Sequence, residues 1–235
     1  MSVAQARGVV AVTGAASGIG RAVAEEMSSR GWVVASIDLQ PAPTADHSSE
    51  ADVTDPWAVA AAVRDIEQRF GPVTAAVSVA GHYEMLPVSE ISPKGWQHML
   101  RVHLGGLVNL TRATLPSMLD AGVGSVVAIA SELAIGGGNQ DAHYAAAKGA
   151  VLGLVRSLAA EVAPRGVRIN AVAPGPTDTP LIGPESPWRD PAYLSTLPLR
   201  RLVTPQEVAL CVAFLLDHGT SCVGEVLNPN AGAVI

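Results

Sequence analysis

Lysine and cysteine are both scarce in this chain of 235 residues. Each occurs twice, as Lys94 and Lys148 and as Cys211 and Cys222. Two cysteines fit neither a disulfide framework nor a zinc site, and they read as ordinary reduced thiols. Six histidines, His47, His82, His98, His103, His143 and His218, show no ligand spacing, so no metal centre is expected. Basic runs are missing too. The formal net charge is −6, which argues against nucleic acid or an anionic membrane as partner. No apolar run reaches the roughly 18 residues of a membrane span. The apolar Val9–Val12 segment is cut short by threonine and glycine, unlike the long core of a signal peptide. These absences predict a soluble cytoplasmic protein. Aromatic residues make up only 4% and charged residues 15%, whereas 49% of the chain is hydrophobic. A composition led by alanine and valine suits small-residue packing of helices on a buried parallel sheet.

The length predicts one large domain, 1–235, with a sizeable core. Along it, strand-like and helix-like segments alternate. Strands are expected at Val9–Thr13, Val33–Ile37, Val73–Val79, Ser125–Ala130, Arg168–Val172 and Glu225–Leu227. Helices are expected at Ile19–Arg30, Pro56–Phe70, Pro93–Ala121, His143–Ala163 and Pro205–Asp217. Asp55 is the expected N-cap of the second helix, with Pro56 at its first position. Gly105-Gly106 suggests a bend in the third. Residues 40–50 read as a polar connection. The alternation predicts an α/β fold, a single doubly wound parallel sheet of Rossmann type with helices on both faces. Pro174–Pro198 is too long and proline-rich for an ordinary connection, and 179–198 within it reads as a substrate lid.

Three features carry chemistry. The first is a loop, Thr13-Gly14-Ala15-Ala16-Ser17-Gly18-Ile19-Gly20, placed between a strand and a helix. Glycines there let the backbone approach a pyrophosphate, and the helix N-terminus offers free N–H groups. The second is Asp38, at the end of the next strand, where a carboxylate takes the ribose hydroxyls of NAD and repels the 2′-phosphate of NADP. Leu39 follows it, so no arginine is offered to that phosphate. The third is Tyr144 with Lys148, one helical turn apart and therefore on one face, with Ser131 thirteen residues upstream of the tyrosine. An ammonium beside a phenol favours the phenolate.

On these motifs the chain resembles the short-chain dehydrogenases/reductases over essentially its full length. Thr13–Gly20 is similar to their TGxxxGxG loop, Asp52-Val53 to the acid–valine pair that meets adenine, and Ala80-Gly81 to the end of their NNAG motif. Pro174-Gly175-Pro176-Thr177-Asp178-Thr179 is similar to the segment that meets the nicotinamide carboxamide, through Pro174, Gly175, Thr177 and Thr179. The resemblance implies Ser131, Tyr144 and Lys148 as catalytic residues, with Tyr144 and Lys148 also touching the cofactor. Ser17 lacks the positive charge found at its position in NADP-binding relatives. The resemblance further implies assembly as a homotetramer or homodimer through the long helices. Ala145, Ala146, Ala147, Ala150 and Gly153 would permit close helix contact.

The chain departs from the family twice. Ser78-Val79-Ala80-Gly81 lacks both asparagines of NNAG, and His103 stands where the family has an asparagine that helps hold a relay water. Histidine can itself hydrogen-bond a water, so His103 is expected to keep the relay.

The implied reaction interconverts a small secondary alcohol and a ketone. The nicotinamide takes the hydride. Tyr144 takes the proton, which near neutrality needs its pKa of ~10 lowered at a cost of about 4 kcal/mol. Ser131 holds the substrate oxygen. Two other readings stay open: a 3-oxoacyl-thioester reductase using NADPH, and a dinucleotide-binding sensor or partner protein with little turnover. His82, Tyr83, Glu84, Glu132, Asn139 and His143 lie in loops after strands and are candidates to shape the substrate site. Trp188 and Tyr193 fall in the lid.

Overall fold

A computed structural model describes residues 7–235. Seven parallel strands form its sheet: β1 Val9–Thr13, β2 Val33–Asp38, β3 His47–Glu50, β4 Val73–Ser78, β5 Gly124–Ile129, β6 Val167–Val172 and β7 Val226–Leu227. Their spatial order is β3-β2-β1-β4-β5-β6-β7, so the chain reverses direction across the sheet between β1 and β4. In open α/β sheets a ligand crevice lies at the carboxyl ends of the strands beside such a switch. Strands β1, β4 and β5 are buried almost throughout, as short runs of valine and alanine covered on both faces must be.

The helices are α1 Gly18–Ser29, α2 Pro56–Phe70, α3 Pro93–Leu100, α4 Gly106–Ala121, α5 Leu133–Gly136, α6 Ala142–Val162, α7 Pro191–Thr196 and α8 Pro205–Asp217. One face of the sheet packs against α2, α4 and α6 through Ile66, Leu110, Met118, Val151 and Val155. The other packs against α1 and α8 through Val23, Met27, Val208, Val212 and Leu215. The sheet is doubly wound, as expected.

Four expectations need correction. Residues 40–50 are not all connection, because 47–50 form the edge strand β3, paired with Ala35–Asp38 of β2. His-Ser-Ser-Glu has little intrinsic strand preference, and the open edge of β2 overrides it. The expected bend in the third helix is a five-residue π-helical segment, Arg101–Gly105, between α3 and α4. A π-segment inserts an extra residue into the helical ladder, which a 3.6-residue pattern cannot reveal. The stretch 174–198 is not wholly irregular, since it holds a short 3₁₀ turn at Pro187–Arg189 and the helix α7. Finally, Ala147 faces the protein's own core, fully buried, and offers nothing to a partner. Asp55 caps α2 as expected, its side chain accepting from the N–H groups of Trp57 and Ala58. Among the described residues no helix is long and apolar enough to cross a membrane.

Candidate active site

The glycine loop turns between β1 and α1. Gly14 has φ +71°, and a Cβ there would meet the Ala80 backbone at 2.8 Å. A Cβ on Gly20 would collide with the Gly14 carbonyl. These two positions need glycine because the loop, the start of α1 and the end of β4 converge. Thr13 Oγ1 accepts from the N–H groups of Val79 (3.0 Å) and Ala80 (3.2 Å), tying the β4 end to the loop. Ser17 sits at the N-cap of α1 without a side-chain cap bond, so the first N–H groups of the helix face the cleft.

Asp38 closes β2 beside the loop. Its Oδ2 accepts from Ala16 N–H (2.9 Å) and its Oδ1 from Gln40 N–H (3.0 Å). Both oxygens retain lone pairs for further donors, and the carboxylate is held in place. Asn109 of α4 donates to the Val53 carbonyl (2.8 Å), fixing the Asp52-Val53 pair.

A single cavity of about 400 Å³ runs from this loop to the far end of β5. Gly14, Ser17, Gly18, Ile19, Gly20 and Asp38 line one end, with Asp52 and Val53 beside them. Ala80, Gly81, Pro174, Gly175, Thr177 and Thr179 line the middle. Ser131, Tyr144, Lys148 and His103 line the other end. Every catalytic and cofactor-binding residue expected from the sequence therefore borders one cavity. Glycine loop, free helix N-terminus and fixed carboxylate fit a nicotinamide dinucleotide in their chemistry.

At the far end, Ser131 and Lys148 are both buried, at 4% exposure each. The Lys148 ammonium donates to the Ile129 carbonyl (2.7 Å) and lies 5.7 Å from the centre of the Tyr144 ring. Burial pushes the lysine down to about 7. Burial also holds the Tyr144 phenol above its ordinary value; the Glu132 carboxylate adds to this, and Ser131 opposes it by hydrogen bonding. The expected lowering of Tyr144 by Lys148 is not among these influences, and in the protein alone the phenol stays protonated.

His103 lies in the π-segment, 4% exposed. Its Nε2 is 2.8 Å from the His82 carbonyl and 3.4 Å from the His82 N–H; the shorter contact favours a proton on Nε2, which leaves Nδ1 as an acceptor. Nδ1 has no partner within the described residues. Burial, then the Lys148 charge, hold this imidazole well below its usual pKa, so it is neutral. Gly81 makes room for the ring, since a Cβ there would stand 2.9 Å from Nδ1. His103 packs edge-on to Tyr144 at 5.3 Å and stacks with His82 at 5.5 Å. His98 lies 4.6 Å from His82 on the solvent side. Spacing along the chain could not show this meeting of a loop with two turns of one helix.

Other loop residues divide. His82, Tyr83 and Glu132 line the cavity, as does Trp188 from the segment 179–198, whereas Glu84, Asn139, His143 and Tyr193 do not. Tyr83 Oη donates to Asp141 Oδ1 (2.5 Å) and accepts from Trp188 Nε1 (3.0 Å). Asp141, fully buried just before α6, was not singled out by the sequence reading. An Asp at a helix start signals a cap, but here its side chain makes no cap bond and faces Tyr83 instead.

A family model described as Enoyl-(Acyl carrier protein) reductase, of the short-chain alcohol dehydrogenase type, matches residues 14–233. The chain belongs to the short-chain dehydrogenase/reductase family. As a short-chain dehydrogenase/reductase it is an oxidoreductase acting on CH–OH groups, interconverting alcohol and ketone. It is 31% identical to a 3-oxoacyl-(acyl-carrier-protein) reductase of Escherichia coli, covering 95% of this chain and 96% of the relative. It is 35% identical to a cis-4-hydroxycyclohexanecarboxylate dehydrogenase of Sinomonas cyclohexanicum, covering 99% and 98% respectively. A crystal structure of 3-ketoacyl-(acyl-carrier-protein) reductase from Brucella melitensis complexed with NADH superimposes with a TM-score of 0.90. The two share 25% identity, over 98% of this chain and 99% of that one. Short-chain dehydrogenases/reductases bind a nicotinamide dinucleotide, and the cavity described above has the residues for it.

Proposed function

We propose that this short-chain dehydrogenase/reductase uses NAD in preference to NADP to oxidise a small secondary alcohol, or to reduce the matching ketone. The observation that carries the reading is the single cavity with Asp38 at one end and Ser131, Tyr144 and Lys148 at the other. Asp38 takes the ribose hydroxyls, and its fixed charge opposes a phosphate there, with Leu39 exposed beside it. The cofactor, when bound, supplies the hydride acceptor or donor. Asp52 and Val53 meet the adenine. Ala80 and Gly81 line the cofactor's edge, and Pro174, Gly175, Thr177 and Thr179 hold its carboxamide end. Ser131 positions the substrate oxygen. Tyr144 exchanges the proton with that oxygen, and Lys148 favours its phenolate once positive charge arrives beside it. His103 Nδ1, buried and free of a partner, is the acceptor that supports a relay water. Residues 179–198 cover the substrate, and the protein works in the cytoplasm as a tetramer or dimer.

A second reading, the 3-oxoacyl-thioester reductase using NADPH, draws support from the Escherichia coli relative. Against it, the charged groups lining the cavity are Asp38, Asp52, Glu132 and one cation, Lys148, and no arginine is among them. The test is turnover of secondary alcohols, diols and 3-hydroxyacyl thioesters with NAD and with NADP. Tyr144→Phe should lower the rate by roughly two decades or more, while NAD still binds. A Tyr144→Phe enzyme that keeps more than a few per cent of the rate would refute the assignment.

A further inference from the structure

Glu132 follows Ser131 directly and is nearly as buried, with 5% exposure. Both residues line the cavity. The Ser131 hydroxyl donates to Glu132 Oε2 at 2.8 Å, and Ser131 Oγ accepts from Leu133 N–H at 3.2 Å. A serine hydroxyl has a single proton. With that proton donated to Glu132, the hydroxyl cannot donate to a substrate oxygen or to the Tyr144 oxygen, the other partner within its reach. No ion pair among the described residues includes Glu132. A buried carboxylate with no cation partner costs stability, so packing alone gives no reason for a carboxyl group here.

Resting on the dehydrogenase reading above, we propose that Glu132 is a positioning residue for Ser131. Its carboxyl group determines whether the serine proton points at Glu132 or at the substrate oxygen, so turnover requires a proton on Glu132. When ionised, Glu132 accepts the serine proton and competes with the substrate. When neutral, its own O–H can donate to Ser131 Oγ, and the serine proton is released toward the substrate oxygen. The same change removes an anion that holds the Tyr144 phenol protonated. Both effects favour the bound alkoxide-like oxygen and therefore favour the reaction in either direction.

The groups around Glu132 agree with a carboxyl poised to change state. Burial pushes it up to about 7, opposed by the Ser131 hydrogen bond and by neighbouring backbone N–H groups. Asp141, before α6, raises it further. From α6 it faces Tyr144, and from α7 Tyr193, whose phenols its charge raises in turn. Lys148, deeper in α6, is held at about 7 by its own burial. Glu132 and Lys148 therefore lose protons over one pH range and each loss opposes turnover, whereas oxidation needs the Tyr144 phenol to lose its own.

The decisive variant is Glu132→Gln, an isostere that never ionises and whose amide can donate to Ser131. Relative to Glu132→Gln, the wild type's kcat/KM for alcohol oxidation with NAD should carry one additional falling proton above about pH 7. Lys148 and the Tyr144 phenol, which must lose its proton to act as base, are present in both proteins and set the rest of each profile. At about pH 8.5 the variant should be faster than the wild type by roughly tenfold, the weight of a weakened oxyanion donor. A merely structural role predicts a uniform loss at all pH values with the slope unchanged, and that result would overturn the proposal. A second measurement needs neither substrate nor a folded variant at Glu132. Infrared titration of the wild type should show a protonated carboxyl band lost near neutrality. Ser131→Ala should move that loss to higher pH, because the serine hydrogen bond favours the carboxylate. Absence of the band, or no movement in Ser131→Ala, would refute the link even if the dehydrogenase assignment stands. A shifted band in a protein without alcohol turnover would instead sink the dehydrogenase reading, and with it the gating of turnover.

Discussion

The residues proposed to carry the chemistry were the most legible part of the sequence. Glycines at 14, 18 and 20, Asp38, Ser131, Tyr144 and Lys148 are set by covalent and steric demands that leave a trace in spacing, and all border one cavity. What spacing could not show was which neighbour each side chain meets. The hydrogen bond from Ser131 to Glu132, and the chain from Trp188 through Tyr83 to Asp141, join segments by tertiary contact. Two predictions belong at this scale. Asp38→Ala with Leu39→Arg removes the fixed carboxylate and supplies a phosphate partner. The NAD-to-NADP ratio of kcat/KM should move toward NADP by at least about tenfold, or 1.4 kcal/mol. An unmutated protein that binds NADP as tightly as NAD would remove the basis of the expectation. The other concerns stability. The folded pKa of Glu132 is raised to about 7 from 4.5. Its stabilising contribution is therefore complete below pH 4.5 and lost as pH rises through about 7, because the folded state binds the proton more tightly than the unfolded chain. Glu132→Gln should then melt close to the wild type at about pH 4.5. At about pH 8 it should gain about 3 kcal/mol, or roughly 6–12 °C at this chain length. Melting curves at the two pH values decide it, and an equal difference at both would count against a raised carboxyl.

At the scale of elements, strongly patterned segments were readable and context-dependent ones were not. Helix α2 declared itself by Asp55 and Pro56, and α8 by Pro205, where Thr204 and Glu207 also form a reciprocal capping box. Strand β3 was missed because it exists by pairing to an edge, with only half of its residues partly covered. The π-segment was missed because it alters the helical ladder without breaking the sequence pattern. The segment 179–198 stood out by length and proline content, but its anchoring did not. Trp188 hydrogen-bonds Tyr83, and Arg189 reaches Asp178 Oδ1 (2.6 Å) and the Ile182 carbonyl (3.2 Å). Tyr83→Phe removes the oxygen that joins Trp188 to the buried Asp141. The variant should lose about 1–3 kcal/mol of stability, since the carboxylate keeps no strong donor. If 179–198 covers the substrate as proposed, the variant should also raise KM more than it lowers kcat, because this bond would hold the cover and not the reacting atoms. Steady-state kinetics with a melting curve checks both. A Tyr83→Phe protein with unchanged KM would show that the hydrogen bond is incidental to substrate binding.

At the scale of the whole molecule, the doubly wound fold was readable from alternation alone, while assembly rested on resemblance. The structure now gives assembly a physical argument of its own. Gly149 and Gly153 lie one turn apart in α6, in ordinary helical backbone, and a Cβ on either would meet nothing within 4 Å. Glycine inside a helix costs about 0.5–1 kcal/mol relative to alanine, so the isolated subunit has no use for them. Beside them Ala146 is exposed, and Ala145 and Ala150 are partly so, leaving a smooth, small-residue face on the longest helix. Such a face lets a second helix approach closely. The subunit also leaves Leu210 (50%) and Phe214 (43%) exposed on α8, apolar surface that assembly could cover. Light scattering at micromolar concentration should therefore give a mass above that of one chain, 24.1 kDa. Gly153→Ala should raise the melting temperature of any monomer by the helix term alone. Gly153→Arg should leave the subunit folded, since its side chain enters open space, but should reduce the mass by blocking the helix pair. A wild type that is monomeric at that concentration, or a Gly153→Arg variant with unaltered mass, would show that this face of α6 meets only solvent.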